Sequence, residues 1–145
     1  MPAIQTTYSA THARWVEGMV LNLEPNVIVT RLAEDAEGIG FGKVGVQGTA
    51  DNQVVDSEAT VKFVGIAVLD PTQPTGKYEQ YSNVALMKKG VIVVQASVAV
   101  AVGDPVYYVP ATGVLTNVST SNTQIVGAQW DTSTSGAGLA ALRLG

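Results

Sequence analysis

The chain has 145 residues, 46% of them hydrophobic and 14% charged, with 8 Lys and Arg against 12 Asp and Glu, a net charge of −4 and no cysteine. This length fits one domain and is too apolar for a disordered tail, while scattered basic residues exclude a phosphate-binding stripe and hence nucleic acid as a partner. Disulfides and cysteine metal sites drop out, and charge well below the roughly 25% of an average domain predicts a surface buried against copies of itself or another protein.

Residues 1–17 read as an N-terminal arm, rich in Thr, Ala and Ser and without strand alternation, followed by a single β-rich domain over 18–145. Within the arm, Tyr8, His12 and Trp15 are candidate contact residues, with a frayed terminus as the alternative. A single histidine in such a segment is not positioned to act as a catalytic base. The first residues lack a basic region followed by an apolar run, and no apolar window is long enough for a bilayer-spanning helix, so neither an export signal nor a membrane partner is expected.

From Gly18 onward Val, Ile, Thr and Tyr recur in short runs bounded by Gly, Asp, Asn and Pro, which predicts strands and turns nearly throughout. Met19–Leu23 and Val27–Leu32 read as strands around a Pro25-Asn26 turn, and at most one helical turn fits Leu32–Glu37. Gly38, Gly40 and Gly42 fall at every second position. In a strand they would share one smooth face open to a neighbouring backbone, with Ile39, Phe41 and Lys43 opposite. Lys62–Leu69 reads as the next strand. The 70–82 stretch, with Pro71, Pro74 and Gly76, reads as a long loop that offers Tyr78 and Tyr81 as contact residues or as solvated tyrosines. Val84–Met87, a turn at Lys88-Lys89-Gly90 and Val91–Gln95 give a hairpin signal. The consecutive β-branched residues at 91–94 imply a strand covered on both faces. After Ser97–Val102, strands follow at Val106–Val109, Val114–Thr116, Thr123–Trp130 and Leu139–Leu144. The expected fold is all-β, a compact sandwich or barrel carrying the arm.

The motifs that suggest chemistry are weak. Gly40-Phe41-Gly42-Lys43-Val44-Gly45 is a literal G-x-G-x-x-G, yet a strand rather than a helix follows it, so no dinucleotide site is expected. Glu34, Asp35 and Glu37 miss the calcium-loop spacing, and Ser133-Thr134-Ser135 lacks the elbow pattern of a nucleophile. Residue type alone leaves paired carboxylates open, although aromatics total only 6% for a sugar-stacking cleft. Asn117-Val118-Ser119 matches a glycosylation pattern without secretory context. The reading is of a non-enzyme with no cofactor and no metal.

Gly18-Met19-Val20, Pro25-Asn26, Ile39-Gly40-Phe41-Gly42-Lys43, Val46-Gln47-Gly48 and Asp51-Asn52-Gln53-Val54 follow one another along the chain. So do Phe63-Val64-Gly65-Ile66-Ala67, Lys89-Gly90-Val91-Ile92-Val93, Gly103-Asp104-Pro105-Val106-Tyr107-Tyr108, Thr112-Gly113-Val114-Leu115-Thr116 and Gly127-Ala128-Gln129-Trp130. In this order they resemble the structural cement, or capsid decoration, proteins of tailed bacteriophages. The resemblance implies a homotrimer on the outer surface of a phage head, made in the host cytoplasm, bridging major capsid protein subunits near threefold and quasi-threefold positions. The competing expectation is a ligand- or carbohydrate-binding β-barrel.

Overall fold

A computed structural model of the chain describes residues 15–56 and 62–145. Every regular element in them is a strand, as expected where β-branched side chains dominate, since these lose rotamer freedom in a helix and pack well on a pleated surface. The strands are β1 (Val27–Ala33), β2 (Ile39–Gly40), β3 (Val44–Gln47), β4 (Gln53–Val55), β5 (Phe63–Ala67) and β6 (Lys77–Tyr78), then β7 (Asn83–Ala96), β8 (Pro105–Tyr108), β9 (Leu115–Thr116), β10 (Thr123–Trp130) and β11 (Gly138–Leu144).

The organising element is β7, 14 residues long. Its first part pairs with β1, from Leu32↔Asn83 to Val27↔Lys89, and with β5 on the other side. Its second part pairs with β11, from Leu144↔Gly90 to Gly138↔Ala96. The turn expected at Lys88-Lys89-Gly90 is therefore corrected: the strand runs straight through it, and these residues are where β7 passes from one set of partners to the other. Gly90 makes the passage possible with φ of 126°, and a side chain there would strike Asn26 at 2.8 Å.

Around the first part, β1, β4, β3, β5 and β7 pair in a closed circuit of five strands. So small a barrel has little interior, and its lining is correspondingly small. Gly45 and Gly65 face each other across β3 and β5, and a methyl group on Gly45 would meet Leu86 at 2.7 Å and Val54 at 2.9 Å. Ala33, Val54, Val64, Ala67, Val84 and Leu86 fill the rest, with Ile39 and Tyr78 from the β2–β6 pair packed onto them.

Around the second part, β7, β11, β10, β8 and β9 form another circuit, closed by a parallel contact between Ala96 and Leu115. Its core of Ile92, Val94, Val106, Tyr108, Trp130 and Leu142 is continuous with Val44, Val46, Val55, Ile66 and Met87 from the outer wall of the barrel. Both faces of residues 91–94 are covered within the one chain, since all four are essentially inaccessible. The expectation of sandwich or barrel thus resolves to a closed five-stranded barrel with further strands packed against it.

Other local expectations are corrected by the same packing. Gly38, Gly40 and Gly42 do not share one strand face, because β2 holds two residues and both Gly38 (φ 77°) and Gly42 (φ 75°) are turn residues. The 70–82 stretch contains β6, and Tyr78 lies 1% exposed in the barrel core rather than on a loop surface. Leu32–Glu37 forms no helical turn, because β1 extends to Ala33 and a turn closed by Gly38 N–H to Asp35 C=O follows. Met19–Leu23 contributes one bridge, Val20↔Ile92, and Ser97–Val102 one, Val100↔Thr134.

Candidate interaction surface

Gly18 and Met19 are fixed to the strands by backbone. Gly18 N–H donates to Val93 C=O at 2.7 Å, Val93 N–H to Met19 C=O at 2.9 Å, and Leu69 N–H to Gly18 C=O at 2.8 Å. Gly18 and Gly42 approach so closely that a side-chain carbon on Gly18 would lie 2.9 Å from the Gly42 nitrogen, and one on Gly42 2.9 Å from the Gly18 nitrogen. The close backbone approach expected at Gly42 is therefore real, and its neighbour is this chain's own segment. Lys43 Nζ adds an ion pair to Glu17 at 2.9 Å, exposed and correspondingly weak. Gly40 meets only the flexible Lys43 side chain. Phe41 is half-buried, its ring edge-on to Tyr78 with centroids 5.3 Å apart. Trp15 is half-buried, while Tyr8 and His12 lie outside the described residues.

The two loop tyrosines have opposite fates. Tyr78 donates its hydroxyl to Val68 C=O at 2.6 Å, and burial raises its pKa above the ordinary tyrosine value; as a surface contact it is corrected. Tyr81 is 67% exposed and held at φ 65°, a left-handed conformation unusual for a bulky side chain. Its N–H donates to Ala33 C=O at 2.8 Å, which fixes the backbone at this strained turn.

Charge divides the body unevenly. From Gly90 to Leu142 the only charged residues are Asp104 and Asp131, and both are engaged. Asp104 accepts from Asn117 Nδ2 and from Ala101 N–H, each at 2.9 Å, and these bonds lower its pKa. Asp131 meets Arg143 Nε at 3.3 Å, and the same guanidinium forks onto the Glu24 carboxylate, which ties residue 24 to β11. Exposed apolar side chains sit at both ends of this region. Val98, Val102 and Val118 gather on loops that Asn117 and Ser133 tie together, whereas Leu23, Val27 and Ile28 lie near Glu24, Lys89 and Arg143. Sequence reading missed both groups of side chains, although the charge-free run was a visible signal.

Two shallow hollows accompany these surfaces, about 160 Å³ beside Glu17, Lys43 and Val114 and about 270 Å³ beside Glu24, Lys89 and Arg143. Each brings only one carboxylate to its lining, and no metal-binding cluster occurs among the described residues. No helix among them is long and apolar enough to cross a membrane.

A family model described as "Structural cement protein (E217 gp24/Pam3 gp6)" matches residues 4–145. The chain belongs to this family of phage structural cement proteins. The match takes in most of residues 1–17, where the sequence offered no motif. Among solved structures, a chain of "The capsid of Myoviridae Phage XM1" is similar in fold, with a TM-score of 0.78, 17% sequence identity and coverage of 99% of this chain and 98% of that one. No curated protein matches the chain in sequence. Membership in the cement family gives the chain a capsid cement role, in association with capsid proteins and located in the virion.

Proposed function

We propose that this cement protein acts as a homotrimer on the outer surface of a phage head, where it bridges neighbouring major capsid subunits and resists the outward pressure of packed DNA. The match over nearly the whole chain carries this reading. The composition supports it: a net charge of −4 with no basic stripe suits a protein that faces protein rather than genome. Three linked footprints allow individually weak contacts to sum, and an arm extends reach without enlarging the core. The role is mechanical rather than catalytic, with no cofactor, and synthesis takes place in the host cytoplasm before attachment. Tyr8, His12, Trp15 and the exposed Tyr81 are the proposed anchors, while Gly40, Phe41 and Gly42 shape the surface at the arm's root. The alternative, a carbohydrate-binding barrel, gains nothing from the geometry, because neither hollow is lined by an aromatic ring on which a sugar could stack.

Add-back to heads that lack the protein tests the proposal. The full chain binds the outer surface in multiples of three and raises the temperature at which DNA is released. Deleting residues 1–16 leaves the β-body folded but lowers occupancy at least tenfold. Undiminished occupancy by the truncated chain would refute the arm's role, and failure of the full chain to bind heads would refute the cement reading.

A further inference from the structure

Loops ordinarily turn their polar groups to water. In the tip built by residues 97–104, 117–118 and 132–135 several polar side chains bond one another or nearby backbone instead. Asn117 Nδ2 donates to Asp104 at 2.9 Å and to Ala99 C=O at 3.3 Å. Asp104 also accepts from Ala101 N–H, Ser133 Oγ accepts from Val102 N–H at 3.1 Å, and Thr134 Oγ1 accepts from Val100 N–H at 3.3 Å. Asn117, Asp104, Ser133 and Thr134 are thus engaged within the tip. Val98, Val102 and Val118 project at 37%, 63% and 46% exposure, with Ala99 and Ala101 exposed between them and Ser133 and Ser135 exposed on the neighbouring loop. Such a preformed apolar knob loses little conformational freedom on docking.

We infer that this tip packs against the same tip of sister copies around the rotation axis of the oligomer, an inference that rests on the cement reading above. Charge decides the occupant. Near a rotation axis a residue faces its own image, so any charge there would meet an identical charge at short range. The tip carries no cation, and its single carboxylate is engaged by Asn117 and Ala101. Complementary charge steers and selects a different protein. The tip has none to offer, whereas the surface around Leu23 places Glu24, Lys89 and Arg143 beside an apolar side chain. The uncharged tip therefore fits a second copy of this chain, and the mixed surface fits the capsid.

Light scattering on the full chain, with circular dichroism as the control for folding, tests the assignment. The wild-type mass is three times the 15.1 kDa chain. Val102→Asp lowers the measured mass threefold with an unchanged spectrum, while Leu23→Asp keeps the full mass. Val118→Lys, of opposite sign and also on an exposed side chain, dissociates likewise, so that the assignment stays testable if one variant misfolds. A monomeric wild type at tens of micromolar, or tip variants that retain the wild-type mass, overturns the inference. Oligomeric tip variants that no longer occupy added heads would place the tip against the capsid, leaving the cement reading intact and this inference wrong. Wild-type protein that binds no heads would instead defeat the cement reading itself.

Discussion

Gly18 and Gly42 hold the 17–18 segment against the strands by having no side chains. Both have positive φ, 86° and 75°, and each is within 2.9 Å of the other's nitrogen once a side-chain carbon is added. Gly42→Ala therefore strains the backbone and pushes the 17–18 segment off the body; a loss of roughly 1–3 kcal/mol in urea unfolding is expected. Gly40→Ala, which meets only the movable Lys43 side chain, stays within about 1 kcal/mol of wild type in the same measurement. Tyr81 gives the opposite case, a large side chain kept where glycine would sit more comfortably. Tyr81→Gly holds or raises the unfolding midpoint, because the left-handed strain at φ 65° is relieved, and lowers occupancy on heads because the exposed ring is lost. A variant that binds heads as well as wild type would remove Tyr81 from the contact surface. Neither pattern was fully legible in the chain. The alternating glycines signalled a close approach, but only the fold shows that Gly42 meets Gly18, and nothing local separates buried Tyr78 from exposed Tyr81.

At the scale of elements, β7 sets the arrangement by serving two circuits with one strand. Its apolar run at 91–94 announced burial on both faces, and the strand regions at β1, β5, β8, β10 and β11 were legible from β-branched runs between turn residues. The Lys-Lys-Gly sequence between its halves carries the composition of a turn, yet Lys89 pairs with Val27 and Gly90 with Leu144. Partner strands on either side stabilise the extended form over the local preference, an effect no window of neighbouring residues contains. The loops at the tip depend instead on side-chain bonds to the Asp104 carboxylate. Glu34, Asp70 and Asp104 all have pKa values lowered by hydrogen bonds, led by Thr49, Thr72 and Asn117 respectively. The unfolded chain takes up these protons at a higher pH than the folded one. The stability they confer is complete above the ordinary carboxylate range near pH 4 and is lost as pH falls through the lowered values. Thermal unfolding across pH 2–7 should show the midpoint falling in acid. Asp104→Asn should flatten part of that slope, and an unchanged slope would show that Asp104 is not coupled to folding.

For the whole molecule, the division between a charged barrel end and a 90–142 region whose only charges are Asp104 and Asp131 matters more than any single contact. Under the proposed function, it lets one surface meet sister copies while another meets the capsid. Heads carrying the wild-type protein should release DNA at a higher temperature than bare heads, by several degrees in a dye-release assay. Tip variants that fail to associate should recover only a small part of that gain, since each footprint then binds without the benefit of linkage. Full protection by a monomeric variant would show that linked footprints are not needed.

The all-β class and the absence of cysteine chemistry followed from composition and the order of short runs, because these are properties of residues and their near neighbours. The cement family was legible too, from the sequence of small motifs around turns and glycines. The closure of five strands into a barrel, the passage of β7 between two circuits, and the burial of Tyr78 beside an exposed Tyr81 were decided by tertiary structure. Each depends on pairings between residues far apart in the chain, and the free energy of such pairings comes from surfaces that exist only once the strands have met.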